Sequence, residues 1–355
     1  KAGPHTFVLH HCPKGYMYIT NDGVQGAATS LELEIVPGGL PHDLAQRWPH
    51  LKGCTALRIP ARALEQVESL MRGQLLMGCY AMSGLPLDAT GVQLQGGLDD
   101  HFAYDGPLGC WQDEGSGLWR VAVWAPTADE VSVLYYGPHA RGGPPPVVIP
   151  MQYGELGRGV WSAVLPKEAA MYCYYKYRVR VYSAAMVRTE SVEVSDPYAR
   201  ALAADGERVC LVPPDLQHDL MVPPGWVAHT SPTVPQWTDI SLYELHIRDF
   251  SSQDTSVPKQ LRGKYGAFVP ALVAAHGGGG HGPGGNLSAG LAHLASLREA
   301  GLNTVHLLPT YDFGSVPERE EEQLAVTDDL SVYPPDSEAQ QAAVLAVADR
   351  DGFNW

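Results

Sequence analysis

Two acidic residues, Glu244 and Asp249, flank a short apolar segment and are the first candidates for acid–base chemistry. The segment, residues 241–247, is rich in apolar side chains and is predicted as a β-strand. Because side chains at the carboxyl end of a strand in an α/β barrel face the active site, Asp249 could line a cleft. The preferred interpretation is structural, with Arg248 and Asp249 anchoring the loop through an ion pair or loop hydrogen bonds. Glu244, near the start of the strand, is also interpreted as structural.

Histidines and cysteines give weaker signals for metal chemistry. His10, His11 and Cys12 are adjacent, and His276 and His281 lie in a glycine-rich run, but neither group has further ligands close in sequence. The six cysteines are scattered without C-x-x-C spacing, so free thiols are preferred to a zinc site or a dense disulfide framework. Ser-His-Asp hydrolase motifs and phosphate-binding loops are absent from the sequence.

Composition excludes two classes of partner. The 355 residues include 24 Lys and Arg against 39 Asp and Glu, which gives a net charge of −15. A surface this acidic repels nucleic-acid phosphates, so no nucleic-acid partner is expected. No run of 18 apolar residues is present, so no membrane span is expected. The N-terminal residues lack a signal-peptide core, and any targeting segment is expected to have been removed or left out of this sequence.

Three regions with different patterns must position these residues. The first, residues 1–98, mixes strand and helix signals: residues 31–36 alternate with period two, and residues 61–71 have helical spacing. The second, residues 99–235, is predicted as a β-sandwich because several short β-rich segments follow one another. These segments are residues 119–124, 131–136, 160–165 and 174–181.

The third region, residues 236–355, begins as an α/β fold. The strand at 241–247 is followed by a helix at 287–300, which Ser288 can cap, and by a buried strand at 304–309. A complete (β/α)8 barrel needs about 250 residues, whereas this region has roughly 120. We therefore expect only the start of a barrel, whose first strands would have unpaired edges.

The third region contains the segment Tyr-Glu-Leu-His-Ile-Arg-Asp-Phe-Ser at residues 243–251 and further characteristic segments at residues 262–268, 301–309, 333–342 and 349–355. These segments resemble the catalytic barrel of the plant and green-algal pullulanases, or limit dextrinases, of glycoside hydrolase family 13. The segment at residues 243–251 is the most specific of them. The middle region is similar to carbohydrate-binding module family 48 at residues 118–128 and 196–200. Further segments fit the plant pullulanase pattern at residues 31–37, 48–51 and 99–109.

This resemblance implies a multidomain fold: a mixed α/β N-terminal domain, a β-sandwich of the module 48 type, and the start of a (β/α)8 barrel. It implies a retaining glycosidase that cleaves α-1,6-glucosidic branch points of amylopectin, pullulan and limit dextrins. Such chemistry uses two carboxyl groups about 5 Å apart, one as nucleophile and one as acid and base. In the family these carboxylates follow later barrel strands, so no catalytic residue is assigned here. The chain alone is expected to be inactive.

The resemblance also supplies candidate substrate-binding residues. In the family, the stretch just after residues 353–355 enters the substrate cleft, and sugar rings stack on aromatic side chains through their apolar C–H faces. Trp355 is therefore expected to contact sugar or to support that loop, and Asn354, Asp351 and Asp249 are further candidates. No cofactor is certain, calcium is possible, and a plastid location is implied.

Two other hypotheses remain beside the debranching enzyme. The chain could be a non-catalytic α-glucan-binding or scaffolding protein derived from such an enzyme. A parent of the isoamylase or branching-enzyme type is disfavoured by the segment at 243–251 and by the plant-like segments at 333–337 and 349–355.

Tryptophans in the middle region bear on whether it binds glucan. Trp111, Trp119, Trp124 and Trp161 are expected mostly in the core, and alternation places Trp119 and Trp124 on opposite faces of one strand. The sequence leaves open whether the β-sandwich binds glucan directly or serves as a packing partner.

Overall fold

The computed structural model of the protein describes residues 5–213, 222–282, 285–311, 314–350 and 352–353. The chain forms two compact units, Lys1–Pro223 and Pro224–Trp355. The first unit contains a four-stranded sheet followed by a β-sandwich, and the second contains a parallel strand pair with helices. Among the described residues, no helix has the length and apolar character needed to cross a membrane.

The N-terminal part of the first unit consists of short strands and helices. The strands are β1 (His5–Cys12), β2 (Tyr18–Thr20), β3 (Gly23–Gln25), β4 (Thr29–Glu32), β5 (Glu34–Ile35), β6 (Leu57–Arg58), β7 (Gln74–Ala81) and β8 (Pro86–Gly91). The helices are α1 (His42–Arg47), α2 (Val67–Leu70) and α3 (Gln95–His101). An antiparallel sheet has the strand order β4-β1-β7-β8, and a small core of Leu9, Leu70 and Leu75 packs on one face of it.

Two sequence predictions in this part are only partly right. The strand predicted at residues 31–36 is divided, because β4 ends at Glu32 and β5 pairs with β6 instead of continuing the main sheet. The helix predicted at residues 61–71 is a 3₁₀ helix at Ala61–Gln66 followed by the single turn α2. Apolar spacing does not separate the two helix types over two turns, since their repeats are about 3.0 and 3.6 residues.

The β-sandwich predicted for the middle region is confirmed. Its strands are β9 (Gly109–Gln112), β10 (Trp119–Trp124), β11 (Ala128–Gly137), β12 (Val147–Pro150), β13 (Gln152–Tyr153), β14 (Val160–Val164), β15 (Tyr174–Ser183), β16 (Arg188–Val194) and β17 (Val209–Cys210). One sheet has the order β13-β14-β10-β9 and the other β12-β11-β15-β16, with β17 also paired to β15. Along β10, Trp119, Val121 and Val123 enter the core while Arg120 and Trp124 lie on the opposite face, as the alternation predicts.

A buried carboxylate fixes the end of the sandwich. Asp196 is only 3% exposed and accepts hydrogen bonds from the hydroxyls of Tyr175 (2.6 Å) and Tyr177 (2.9 Å). Its other oxygen accepts the backbone N–H of Tyr198 at 2.8 Å. Burial raises the pKa of Asp196, and these hydrogen bonds oppose the rise. The side chain therefore ties strand β15 to the segment that follows β16.

The second unit contains two parallel strands and four helices among its described residues. The strands are β18 (Leu242–Leu245) and β19 (Thr304–Leu307), and the helices are α4 (Ile247–Ser251), α5 (Pro270–Ala275), α6 (Ala289–Glu299) and α7 (Glu338–Ala348). The predicted cap of α6 is confirmed, since the Ser288 hydroxyl accepts the backbone N–H of Leu291 at 3.3 Å.

Replacing Tyr177 by Phe tests the buried network. Y177F removes one hydroxyl from a buried carboxylate, and we expect the free energy of unfolding to fall by about 1.5–3 kcal/mol. Urea denaturation measured on the β-sheet signal gives this value, with Y172F as the control because Tyr172 is half exposed. Equal stability of the two variants would contradict a structural role for the Asp196 network.

Candidate functional site

The parallel pair β18–β19 brings Glu244 and His306 face to face. Leu242 is opposite Thr304 and Leu245 opposite Leu307, which places Glu244 directly across from His306. The Glu244 Oε2 lies 3.2 Å from the His306 Nδ1, and both side chains are largely exposed. Glu244 therefore contacts the neighbouring strand at the surface of the strand pair. Its assignment as a structural residue stays a prediction.

The carboxyl end of β18 differs from the sequence prediction. The strand ends at Leu245 rather than at residue 247, and helix α4 begins at Ile247, with the Phe250 N–H bonded to the His246 carbonyl at 3.0 Å. Asp249 therefore lies on a short helix, with its side chain 82% exposed and its Oδ2 3.8 Å from the His246 Nδ1. The His246 Nδ1 is itself buried, and no hydrogen-bond partner for it is found among the described residues.

Three of the predicted substrate-binding residues lie outside the described part of the chain. These are Asp351, Asn354 and Trp355. Of the four sequence candidates, the structure therefore places Asp249 alone, on helix α4 just after β18. The roles assigned to all four stay predictions.

Two exposed tyrosines at the same end of the pair were missed from the sequence. Tyr265 is 59% exposed, and its hydroxyl donates to the Thr310 carbonyl at 2.6 Å, just beyond the end of β19. Tyr311, which directly follows Thr310 in the sequence, is 79% exposed. Tyr265 begins a short 3₁₀ helix, Tyr265–Phe268, and Tyr311 lies beyond the end of β19, so both present an aromatic ring to solvent, as is expected of Trp355. Tyr311 had a local signal, an aromatic residue just after a strand of the parallel pair, whereas Tyr265 is far from both strands in sequence and had none.

Asp254 holds the beginning of α6 against the loop that follows α4. Its carboxylate accepts the backbone N–H of Gly290 at 3.0 Å and the backbone N–H of Ser256 at 2.9 Å. Burial acts to raise the pKa of Asp254, but the hydrogen bonds from Ser256 and Gly290 outweigh it and the net pKa is lowered. A carboxylate at a helix N-terminus is also favoured by the helix dipole. This contact fixes the path from β18 into α6.

The four tryptophans of the β-sandwich are divided between its core and its surface. Trp119 and Trp161 are buried in the core, whereas Trp124 is partly buried on the opposite face of β10. The N–H groups of Trp161 and Trp124 donate to the Ala125 and Phe102 carbonyls at 3.0 and 2.8 Å. The expectation that most of the four belong to the core is therefore met by two of them. Trp111, on edge strand β9, is partly exposed, and its indole N–H has no hydrogen-bond partner in the described part of the chain.

Trp111 lines a shallow groove of about 1040 Å³ with Pro107, Gln112 and Glu114. The hairpin loop beside it is held by Asp113, whose carboxylate accepts the backbone N–H of Ser116 at 2.8 Å and its hydroxyl at 2.7 Å. These hydrogen bonds lower the pKa of Asp113. An ordered loop, an aromatic ring and an exposed carboxylate form a surface that suits a sugar, with C–H groups on the ring and hydroxyls at the rim.

The structure gives no support for a metal site in the residues it describes. Within them, no three His, Cys, Asp or Glu side chains gather into a group able to hold a metal ion. His10 and His11 are successive residues of β1 and point to opposite faces of the sheet. The calcium hypothesis stays a prediction.

Comparison with known families identifies the two domains of the first unit. Residues 1–100 match the Pullulanase N2 domain, and residues 107–199 match carbohydrate-binding module 48, the isoamylase N-terminal domain. The chain is 36% identical to the chloroplastic Pullulanase 1 of Arabidopsis thaliana over 95% of its own length. It is 30% identical to the pullulanase of Klebsiella pneumoniae over 84% of its length.

Solved structures of pullulanases are also similar to this chain. The maltotriose complex of PulA from Klebsiella pneumoniae superposes with a TM-score of 0.66 at 26% identity over 92% of this chain. PulA from Klebsiella oxytoca gives the same TM-score and identity over 96% of this chain. The chain spans about a third of the length of its relatives, 32% of the Arabidopsis protein and 33% of the Klebsiella pneumoniae structure.

Two neighbouring aspartates should respond differently to substitution. D254A removes the acceptor of the Gly290 N–H at the start of α6 and of the Ser256 N–H in the loop after α4, and we expect it to cost about 1–2 kcal/mol of unfolding free energy. D249A removes a well-exposed carboxylate and should change stability by less than about 0.5 kcal/mol. Thermal unfolding followed by circular dichroism compares the pair. A larger loss in D249A would show that Asp249 has a structural role beyond its contact with His246.

Proposed function

We propose that this chain, which belongs to the pullulanase family, is the N-terminal portion of a starch-debranching enzyme. The whole protein would hydrolyse α-1,6-glucosidic branch points in amylopectin, pullulan and limit dextrins with retention of configuration. The observation that carries the proposal is the order of domains: Pullulanase N2, then carbohydrate-binding module 48, then a parallel strand–helix–strand unit. The similarity to a plant pullulanase over 95% of the chain supports the same conclusion.

The second unit is proposed as the beginning of a (β/α)8 barrel. Strands of parallel sheets are normally covered on both faces. Here apolar side chains of the pair, among them Leu242, Val305 and Leu307, are exposed. Later strands and helices of the whole protein would cover them, and such a barrel takes about 250 residues. The boundaries of the three domains, residues 1–98, 99–235 and 236–355, belong to this proposal.

The catalytic carboxylates are proposed to follow later strands of that barrel. A retaining glycosidase places its nucleophile and its acid/base about 5 Å apart on either side of the bond. Glu244 is paired with His306, and Asp249 lies beside His246, so neither stands in such an arrangement within the described residues. The chain is expected to lack hydrolytic activity by itself.

The carboxyl end of the parallel pair is proposed to form one wall of the substrate cleft. Active sites of (β/α)8 barrels lie at this end of the strands. Tyr265, Tyr311 and Asp249 are exposed there, and aromatic rings are suited to stack on glucosyl units. Asp351, Asn354 and Trp355 are proposed from the family resemblance to contribute to the same cleft.

The β-sandwich is proposed to bind α-glucan through the groove at Trp111. The match to a carbohydrate-binding module, the unpaired indole N–H and the ordered loop beside the ring support this assignment. The alternative, a non-catalytic α-glucan-binding protein, uses the same groove and differs only in lacking hydrolysis. A plastid location is proposed because the Arabidopsis relative is chloroplastic.

A pullulan-containing gel, renatured after electrophoresis and blotted with an antibody to this chain, tests hydrolysis. We expect a cleared, antibody-positive band well above 38.3 kDa, the mass of this chain. The isolated chain, run in the next lane, should not clear pullulan. An antibody-positive band near 38.3 kDa with no clearing elsewhere would favour the non-catalytic glucan-binding protein.

Replacing Trp111 by Ala tests the groove. W111A removes the aromatic surface, and we expect the dissociation constant for maltohexaose to rise about three- to tenfold. Isothermal titration calorimetry on the 355-residue chain measures it, with W237A as a control because Trp237 is exposed in the second unit. Unchanged affinity in W111A would leave the sandwich groove without a role in binding.

A further inference from the structure

The face of the N-terminal sheet opposite its small core carries a polar cluster that the proposed function does not use. Leu9 and Leu75 point to the core face of sheet β4-β1-β7-β8. Because side chains alternate along a strand, His10 and Tyr80 project from the other face. Ser30, directly opposite His10 on β4, projects from the same face.

Hydrogen bonds fix the orientation of Tyr80. The His10 ring bridges two hydroxyls, with Nε2 2.9 Å from the Tyr80 hydroxyl and Nδ1 2.9 Å from the Ser30 hydroxyl. The rings of His10 and Tyr80 meet edge to face, 5.9 Å apart at an interplanar angle of 70°. His10 is 8% exposed, so the bridge lies largely away from water.

Gly78 gives Tyr80 the space for this orientation. A Cβ added at Gly78 would lie 2.6–2.9 Å from three atoms of the Tyr80 side chain, closer than real contacts allow. Gly78 has no positive φ, so its backbone conformation is one that other residues also adopt. The three atoms nearest to an added Cβ all belong to the Tyr80 side chain, so the position of this side chain is what favours glycine here. The ring of Tyr80 therefore lies against the backbone of its own strand.

Tyr80 borders a pocket of about 410 Å³, within the size range of small-ligand sites. Val8 and Met82 contribute apolar surface, and Thr6 and His10 contribute polar atoms. The hydroxyl of Thr6 contacts the Met82 sulfur at 3.8 Å, and Met82 is 70% exposed. A preoriented aromatic ring with apolar neighbours and hydroxyls at its edge matches the two-sided chemistry of a sugar ring.

We propose that this pocket is a second α-glucan subsite, in which a glucosyl unit lies against Tyr80, Val8 and Met82. The proposal rests on the proposed function for the choice of ligand, since the glucan is the substrate of the whole protein. Its role is to hold a glucan chain at the Pullulanase N2 domain, independently of the groove at Trp111. Because the tyrosine is already held by His10 and Gly78, little side-chain entropy is lost on binding.

Binding of maltohexaose to the 355-residue chain, followed by amide chemical shifts, tests the subsite. We expect shifts at Thr6, Val8 and Gly84 that persist in W111A and disappear in Y80A. Y80F keeps the ring and should retain binding to within about threefold of the wild type. M82A provides a variant that leaves the hydrogen-bonded bridge intact, and it should weaken the shifts at this pocket without lowering the melting temperature.

The outcomes separate this proposal from the proposed function. Shifts confined to the β-sandwich, with none around Tyr80, would overturn the subsite and leave the debranching function standing. The same shifts in Y80A and M82A as in the wild type would also overturn it. If an apolar alcohol caused saturable amide chemical-shift changes around Tyr80 and maltohexaose caused none there, the pocket would take a different ligand and the subsite would be overturned. An inactive whole protein with intact binding at Tyr80 would reject the debranching function alone.

Discussion

The carboxylate of Asp196 is the group on which the geometry of the first unit depends most directly. Two tyrosine hydroxyls from β15 converge on it, and β15 pairs with β11, β16 and β17. A carboxylate removed from water is costly unless its oxygens are hydrogen-bonded, so the three donors are a condition of folding this strand against its neighbours. Burial still raises the pKa of Asp196, which shows that the hydrogen bonds only partly offset desolvation.

The same carboxylate positions the groove at Trp111 through a short chain of contacts. Its second oxygen holds the backbone of Tyr198, and Tyr198 lies so close to Gly109 that a Cβ there would be 3.1 Å from the tyrosine Cβ. Gly109 also has φ of +85°, a conformation that favours glycine. This residue begins β9, and Trp111 follows two positions later. The location of the partly exposed indole of Trp111 is therefore a consequence of the buried hydrogen bonds of Asp196.

The alternation of apolar and polar residues predicted the β-sandwich well, because it depends only on which side chains of a single strand are buried. Trp119, Val121 and Val123 occupy the core as their spacing indicates, and Ser288 caps α6 as its neighbours indicate. The end of β18 was placed two residues too late, because the turn into α4 depends on the hydrogen bond from Phe250 to His246 rather than on apolar spacing. Asp249 therefore lies on a helix rather than at the end of a strand, with its Oδ2 3.8 Å from the His246 Nδ1.

Features that depend on contacts between strands could not be predicted in the same way. The bridge from Ser30 through His10 to Tyr80 joins three strands whose register no single segment encodes. Gly78 within a strand is an ambiguous sequence signal, since it can mark a bulge or close approach of another group. Here it marks the close approach of Tyr80. The residues that line the pocket at Tyr80 are visible in the sequence, but nothing in the sequence indicates that they lie together in the fold.

The two proposed aromatic subsites differ in how their polar atoms are used, and this difference would give them different roles in binding. At Trp111 the indole N–H remains available to a ligand oxygen, whereas at Tyr80 the hydroxyl is already bonded to His10. A sugar at Trp111 can both stack and accept a hydrogen bond, while a sugar at Tyr80 gains mainly from contact with a ring that is already oriented. Since a hydrogen bond has stricter geometry than stacking, the sandwich groove should select the glucan orientation and the sheet pocket should add affinity with less selectivity.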